Sequence, residues 1–310
     1  LMLKKIVFMG TPLFSVPILK SLYQNGFSIS VVYTQPPQKS KRGQKINRSP
    51  IQSFSEVLNI NCRTPLYLKN NNEEYEYLKK LEADLAIVVA YGQMIPSEML
   101  KLTKKGFINI HASILPKWRG AAPIQRAIMN LDKLTGISIM KINENLDSGP
   151  ICNSYKLNIS SNDNTEDISN KLSSLAAEKI LENLDDIFSD EAEFKEQEHS
   201  EATYAKKINK LEGKINWNEK SDTIIGKING LYPNPGAWFI FKGERYKILK
   251  ATISEKKAAP GIVLDEYLEI SCNDKSIKVL EIQREGKRQQ KIEEFVLGAK
   301  ITKGSNLNNA

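Results

Sequence analysis

Short runs that are apolar at nearly every position, each followed by an amphipathic stretch, dominate the first half of this chain. Residues 4–10 read Lys-Lys-Ile-Val-Phe-Met-Gly, 27–34 read Phe-Ser-Ile-Ser-Val-Val-Tyr-Thr, and 84–92 read Asp-Leu-Ala-Ile-Val-Val-Ala-Tyr-Gly. Residues 106–111 and 135–142 continue the series. A strand with one wet face alternates polar and apolar residues. A strand apolar throughout must be covered on both faces, which calls for a parallel sheet flanked by helices. The intervening stretches carry helix punctuation. Pro17 falls in a first turn and Gly26 at an end, Ser49 stands as a cap with Pro50 just inside, and residues 72–83 have helical spacing. Residues 162–188 place Ile168, Leu172, Leu175, Ala176, Ile180, Leu184 and Ile187 on one helical stripe. The expected fold is α/β: a Rossmann-like, mostly parallel sheet with helices on both faces.

The rest of the chain has a different rhythm. After a polar, acidic stretch, a short helix (221–230) precedes strand-like runs at 237–241, 244–253, 261–264, 267–271 and 276–283, punctuated by Gly and Pro. Several short strands at such spacing indicate a small all-β unit, expected as an OB-like β-barrel. The expected boundaries are a catalytic domain over 1–188, a linker over 189–204 and a barrel domain over 205–310. Trp217, Trp238 and Phe239 are expected in the barrel core.

The chain has 310 residues, 41% hydrophobic and 26% charged, enough for two domains with real cores. Its net charge is +8, and the part from Ile208 onward holds 18 Lys and Arg against 13 Asp and Glu. An excess of this kind favours polyanionic partners. Cys62, Cys152 and Cys272 are too scattered for a metal centre or a disulfide framework, and His199 stands alone, so no metal is expected. The apolar run near the N-terminus is too short for a signal peptide. The longest uncharged apolar run, Leu85–Ser97, is about 13 residues where a bilayer needs about 20. A cytoplasmic protein without membrane attachment is expected, working as a monomer. Gly10-Thr11-Pro12 after the first strand is no dinucleotide fingerprint, and no Walker-type phosphate loop occurs.

The segment 106–130 carries the chemistry. It opens on a buried strand and sets Asn109 and His111 at its carboxyl end, on one face because residues two apart on a strand share a face. In open α/β sheets, sites gather at the carboxyl ends of strands. A second such end follows at 137–151, with Asp147 in an Asp-Ser-Gly turn. Asn, His and Asp together suit acyl-type transfer to an amine without a covalent intermediate: the amide and the imidazolium donate to the oxyanion that forms, and Asp147 holds the ring. Each residue also has a plainer reading, as a satisfied polar group at a strand end, a loop tie or a turn residue.

The run Ile108–Ala127 with the turn Leu146–Gly149 resembles the active-site signature of the folate-dependent formyltransferases. Asn109, His111 and Asp147 fall on that family's catalytic trio. Ser113, Ile114, Leu115 and Pro116 fall on its Ser-Leu-Leu-Pro folate-binding segment, with Ile114 in place of Leu. The resemblance implies 10-formyltetrahydrofolate as formyl donor. It also implies a pterin pocket built from the loop after residues 84–89 (Ala90, Tyr91, Gly92, Gln93, Met94, Ile95) and from the turn around Asn143–Asp147.

Family members differ in the amine they formylate, and the trio does not separate them. Residues 10–19, 90–96 and 229–239 resemble the branch acting on charged initiator tRNA. Residues 34–50 form a connection of about 15 residues, where 2–6 are usual. It holds Lys39, Lys41, Arg42, Lys45 and Arg48 and no acidic residue, as a loop gripping RNA phosphates would. Arg42 falls on the branch's basic Arg-Gly centre, although the flanking Pro-Pro-Gln-Lys-Ser-Lys departs from its pattern. Lys247 and Arg288 lie in two basic hairpins of the expected barrel. The expected partner is methionyl initiator tRNA. The rivals are a sugar-nucleotide N-formyltransferase with the same trio, and a non-catalytic RNA-binding protein on the same scaffold.

Overall fold

The computed structural model describes residues 4–39, 46–298 and 300–308. Lys41, Arg42 and Lys45 therefore lie outside the described residues, and for Lys39 only the backbone is described. The chain divides into two compact units. One comprises 1–120, 135–157 and 169–204; the other comprises 121–134, 158–168 and 205–310.

The first unit is built on a seven-stranded sheet. Its strands are β1 (Lys5–Gly10), β2 (Ser28–Tyr33), β3 (Cys62–Arg63), β4 (Leu85–Val89), β5 (Phe107–His111), β6 (Leu134–Lys141) and β7 (Ile151–Asn158), in spatial order β7-β6-β5-β4-β1-β2-β3. Strand β1 runs parallel to β2 and β4, β4 to β5, and β2 to β3. Every residue of β4 is buried, as a strand covered on both faces requires. Val7, Met9, Ala86 and Val88 share a core with Leu78 of α3 (Asn72–Leu81), while Ile6, Phe8, Leu85 and Ile87 are buried on the alternate positions.

The helices begin where local chemistry sets them. In α2 (Pro50–Val57) the Ser49 hydroxyl accepts the Gln52 N–H at 2.9 Å, with Pro50 at the first helical position. Asn71 caps α3 by accepting from Glu74 N. Glu73 and Glu74 in its first turn, and Lys79 and Lys80 in its last, complement the helix dipole. Helix α1 spans Val16–Gln24 and α5 spans Thr165–Ser189. Six of the seven stripe residues expected for α5 are buried, and Leu175 is half-buried.

Two features add to what the sequence leads one to expect. Strand β6 runs antiparallel to β5, with Ile108 opposite Lys141 and His111 opposite Ser138. Apolar patterning reports burial, not direction, so the reversal has no signature in the sequence. The segment expected as a linker, 189–204, makes ordered contacts. Lys195 pairs with Ile151 in both directions, at 2.8 and 2.9 Å, and Gln197 is buried.

The second unit holds a five-stranded antiparallel sheet: β8 (Ala237–Phe241), β9 (Glu244–Ser254), β10 (Glu269–Ser271), β11 (Ser276–Arg284) and β12 (Gln289–Lys291). Its core gathers Trp217, Phe239, Tyr246 and Ile248 with Ile224 and Ile228 of α6 (Ser221–Gly230) and Phe295 of α7 (Ile292–Val296). Trp238 is buried as well. Helix α4 (Pro123–Met129) belongs to this unit, its Arg126 paired with Glu212 at 2.6 Å.

Glu269 sets a carboxylate inside this unit. It is fully buried, accepts from Ser276 Oγ at 2.7 Å and pairs with Lys256 at 2.8 Å. Burial works against its ionisation. Hydrogen bonds from Lys256, Ser254 and Ser276 outweigh that and hold its carboxyl down to about 2. A carboxyl depressed on folding stabilises the native state above the ordinary glutamate range, and that contribution fades as pH falls toward its folded value. Lys256 is more than half exposed, so solvent screens the pair. Glu269→Gln is expected to lose about 1–2 kcal/mol at pH 7 and much less near pH 3, read by urea unfolding at both values. An equal loss at both would show that the charge contributes nothing.

Candidate active site

Strand β5 delivers Asn109 and His111 on one face, and the turn after β6 folds back to meet them. Because β6 is antiparallel, its carboxyl end at Lys141 lies beside Ile108. Residues 143–149 then return toward the middle of β5, so Asp147 does not come from a parallel neighbour's carboxyl end. The Asp147 carboxylate stands between three groups. Its Oδ1 is 3.4 Å from Asn109 Nδ2, and its Oδ2 is 3.7 Å from His111 Nδ1 and accepts the Gly120 N–H at 2.8 Å. The trio expected from sequence is thus assembled in one place.

His111 is 6% exposed, and both of its ring nitrogens have partners. Nε2 lies 2.8 Å from the Trp118 carbonyl oxygen. A carbonyl only accepts, so Nε2 carries a proton and Nδ1 faces the carboxylate. Asn109 has a second amide hydrogen beyond the one turned to Asp147. The cluster therefore holds a carboxamide with a spare N–H and an imidazole whose Nε2 bears hydrogen, with the Asp147 carboxylate 3.4 Å from the amide nitrogen and 3.7 Å from the ring's Nδ1.

The expected cofactor residues divide by direction. Ala90 and Gly92 are exposed with positive φ (+48° and +90°), and Met94 is 59% exposed. Tyr91 and Ile95 are buried in the core, and burial pushes the Tyr91 phenol up. The Tyr91 carbonyl accepts from Thr11 Oγ1 at 2.7 Å and Gln35 Nε2 at 3.2 Å. Gln93 anchors the loop, accepting from Leu68 N and donating to the Pro65 carbonyl, both at 3.0 Å. Ser113 is buried and donates to the Lys117 carbonyl at 2.6 Å. The Ser113 carbonyl and the Leu115 N–H are both held by Ser138 Oγ, Leu115 is buried, and the Leu115–Pro116 peptide is cis. Ile114 lies against Gly136, where a Cβ would collide with its side chain. Asn143 Oδ1 accepts from Asn145 N at 3.1 Å and Ser148 Oγ at 3.0 Å, shaping the catalytic turn.

Among the described basic residues, Arg48 pairs with Glu56. Lys247 is half-buried and donates to the Pro233 carbonyl at 3.3 Å; burial, then the nearby Arg245, pushes its ammonium down. Arg288 is largely exposed, 3.9 Å from Glu294. No group of three or more His, Cys, Asp or Glu that could hold a metal occurs among the described residues. No described helix is long and apolar enough to cross a membrane.

Sequence reasoning did not single out Arg119, Gly120 or Gln197, all tied to the Asp147 turn. Arg119 lies within the run Ile108–Ala127, but nothing local marks a guanidinium as buried. Gln197 stood in a polar stretch with no pattern.

Residues 4–184 match the family model described as formyl transferase, and 207–300 match the formyl transferase C-terminal domain. A methionyl-tRNA formyltransferase of Pelagibacter ubique (strain HTCC1062) is 66% identical, over 99% of this chain and 100% of the relative. One from Chelativorans sp. (strain BNC1) is 41% identical, over 98% and 99%. Among solved structures, HypX from Aquifex aeolicus in complex with tetrahydrofolic acid superposes with a TM-score of 0.65 at 18% identity, over 94% of this chain and 46% of that one. An N-formyltransferase from Helicobacter canadensis, with folinic acid and dTDP-3-aminofucose, superposes with a TM-score of 0.69 at 21% identity, over 90% and 99%. At these identities the superpositions speak to the fold alone. The two family models in their proper order and the 66% identity along its length place this chain in the formyltransferase family.

Proposed function

We propose that this protein transfers the formyl group of 10-formyltetrahydrofolate to the free amino group of methionyl initiator tRNA. The observation that carries the reading is the convergence of Asn109, His111 and Asp147 in a chain 66% identical to a methionyl-tRNA formyltransferase. The donor supplies the formyl carbon. The amine nitrogen bonds to that carbon, the bond to the folate nitrogen breaks, and the proton lost by the amine is balanced by one gained at the folate nitrogen. Negative charge appears on the formyl oxygen between those events. Asn109 donates its spare amide hydrogen there, and His111 donates through Nε2, exchanging the Trp118 carbonyl for the oxyanion. Asp147 holds the amide in register at Nδ2 and pairs with the ring at Nδ1 when that nitrogen also carries a proton.

The folate site fits the residues present. Ala90, Gly92 and Met94 offer exposed backbone and a polarisable side chain to a flat ring, on a loop whose frame Gln93, Thr11 and Gln35 fix. Ser113–Pro116 would brace this pocket from within, and Asn143 would shape its rim. For the acceptor, the reading assigns RNA phosphates to the loop holding Lys39, Lys41, Arg42, Lys45 and Arg48, and to Lys247 and Arg288 on an OB-like second unit. The working form is taken as a cytoplasmic monomer.

One assay separates this from a sugar-nucleotide formyltransferase. Methionyl-tRNA and an amino-sugar nucleotide are offered as acceptors across a salt series. The expected result is turnover of the tRNA, with kcat/KM falling as salt rises, and in Arg42→Ala a slope smaller by about 1. Preference for the sugar nucleotide would overturn the acceptor. An unchanged slope in Arg42→Ala would remove the basic loop from RNA binding.

A further inference from the structure

Gln197 follows α5 by eight residues, and its side chain is saturated with hydrogen bonds. Its Nε2 donates to the Asp147 carbonyl at 2.9 Å and the Gly149 carbonyl at 2.8 Å. Its Oε1 accepts from Arg119 Nε at 3.0 Å and Nη2 at 2.7 Å. Guanidinium donors at one end and carbonyl acceptors at the other fix which way the carboxamide faces, because the flipped form would oppose like partners. Gln197 is 6% exposed and Arg119 is 4% exposed. Among the described residues, Arg119 has no carboxylate partner; Gln197 and His199 Nδ1, at 2.9 Å, take the hydrogens on its Nε and Nη2.

These bonds close a ring around Asp147. The Gly120 N–H donates to the carboxylate, Arg119 is the residue before Gly120, its guanidinium grips Gln197, and Gln197 returns to the Asp147 carbonyl. Asp147 needs such support. It sits at φ +46°, a region that a residue with a side chain keeps only when its surroundings enforce it. The turn's own bonds, from Asn145 N and Ser148 Oγ to Asn143 Oδ1, do not reach the Asp147 carbonyl. Gln197 grips the carbonyls on either side of Ser148 instead.

We propose that Gln197, backed by Arg119, is a positioning residue for formyl transfer: it sets the Asp147 carboxylate between Asn109 and His111 and touches no substrate itself. The proposal rests on the role given above to the trio. Gln197→Glu tests it, since a carboxylate keeps and strengthens the link to Arg119 but has no N–H for the two carbonyls. A residue that served only to tie its own segment to Arg119 would tolerate that change.

In Gln197→Glu, kcat for methionyl-tRNA is expected to fall about tenfold or more, with KM for both substrates within about threefold and the thermal midpoint held. Gln197→Met is expected to lose kcat likewise without adding charge. In an Asp147→Asn background, adding Gln197→Glu is expected to cost less than about twofold, because the group it positions is already disabled. An unchanged kcat, a loss confined to KM, or a full multiplicative loss in the Asp147→Asn background would overturn the proposal. A readout independent of turnover is the Gly120 amide resonance, whose proton bonds to Asp147 Oδ2. It is expected to move in Gln197→Glu, and a resonance that stays in place overturns the proposal. A wild-type protein that does not formylate methionyl-tRNA would instead sink the parent reading, leaving the Gly120 resonance to decide this one.

Discussion

Asn109→Ala is expected to lower kcat for methionyl-tRNA formylation by about a hundred- to a thousandfold, the range for loss of one fixed donor to a developing oxyanion. The amide is well placed to matter. It stands on β5, a rigid strand, and its orientation is set by a neighbour on a separate turn, Asp147 Oδ1 at 3.4 Å. Removing it deletes one donor and frees one side of the carboxylate, while the strand's backbone pairing to β4 and β6 stays as it is. Steady-state kinetics with varied donor and acceptor check the claim. The loss belongs in kcat, because the donor acts on charge absent from the ground state. A rise in KM alone would place Asn109 in substrate binding.

Gly149→Ala is expected to damage both folding and catalysis. A Cβ at that position would land on the Lys141 carbonyl oxygen, a backbone atom with nowhere to retreat. The same carbonyl segment pairs with the turn, since Lys141 N donates to the Pro150 carbonyl at 2.9 Å. Overpacking of this kind costs about 1–3 kcal/mol and sometimes more, and here the relief must come from moving the turn that carries Asp147. A lowered thermal midpoint together with a kcat loss in the folded fraction is the expected pattern. Full activity with an unchanged midpoint would show that the turn has slack that its contacts do not suggest.

Much of this was legible from residues alone, for identifiable reasons. The strand Leu85–Val89 announces itself because burial on both faces leaves no room for polar side chains. Ser49 and Pro50 announce a helix start because capping is chemistry between residues three apart. Asn109 and His111 share a face by the two-residue period of a strand. Asp147 comes into view beside them as a turn residue after a second strand, and the family resemblance completes the trio, since a turn residue 36 positions beyond His111 has no local mark of its partners. The direction of β6 was hidden because side-chain patterning is the same in parallel and antiparallel pairs when both faces are covered.

Other features escaped because they are non-local. A glutamine in an acidic, unpatterned stretch reads as solvated; its burial rests on a guanidinium 78 residues away and on the Asp147 and Gly149 carbonyls, none of them nearby in sequence. In the sequence the loop Ala90–Ile95 reads as one block of ligand contacts. The fold divides it, with Tyr91, Gln93 and Ile95 anchoring from inside while Ala90, Gly92 and Met94 face out. The segments 121–134 and 158–168 cluster with the second unit although they precede it in sequence by dozens of residues, an assignment no linear reading of boundaries contains.

The most direct test compares single-turnover formylation of methionyl-tRNA by wild type, His111→Ala, and His111→Ala combined with Asn109→Ala. In the proposed reaction two donors serve one oxygen and one carboxylate steadies both, so they act as a unit. His111→Ala is therefore predicted to cost at least about a hundredfold, and the second substitution far less than it costs alone. Near-normal chemistry in His111→Ala, or losses that simply multiply, would contradict the shared site.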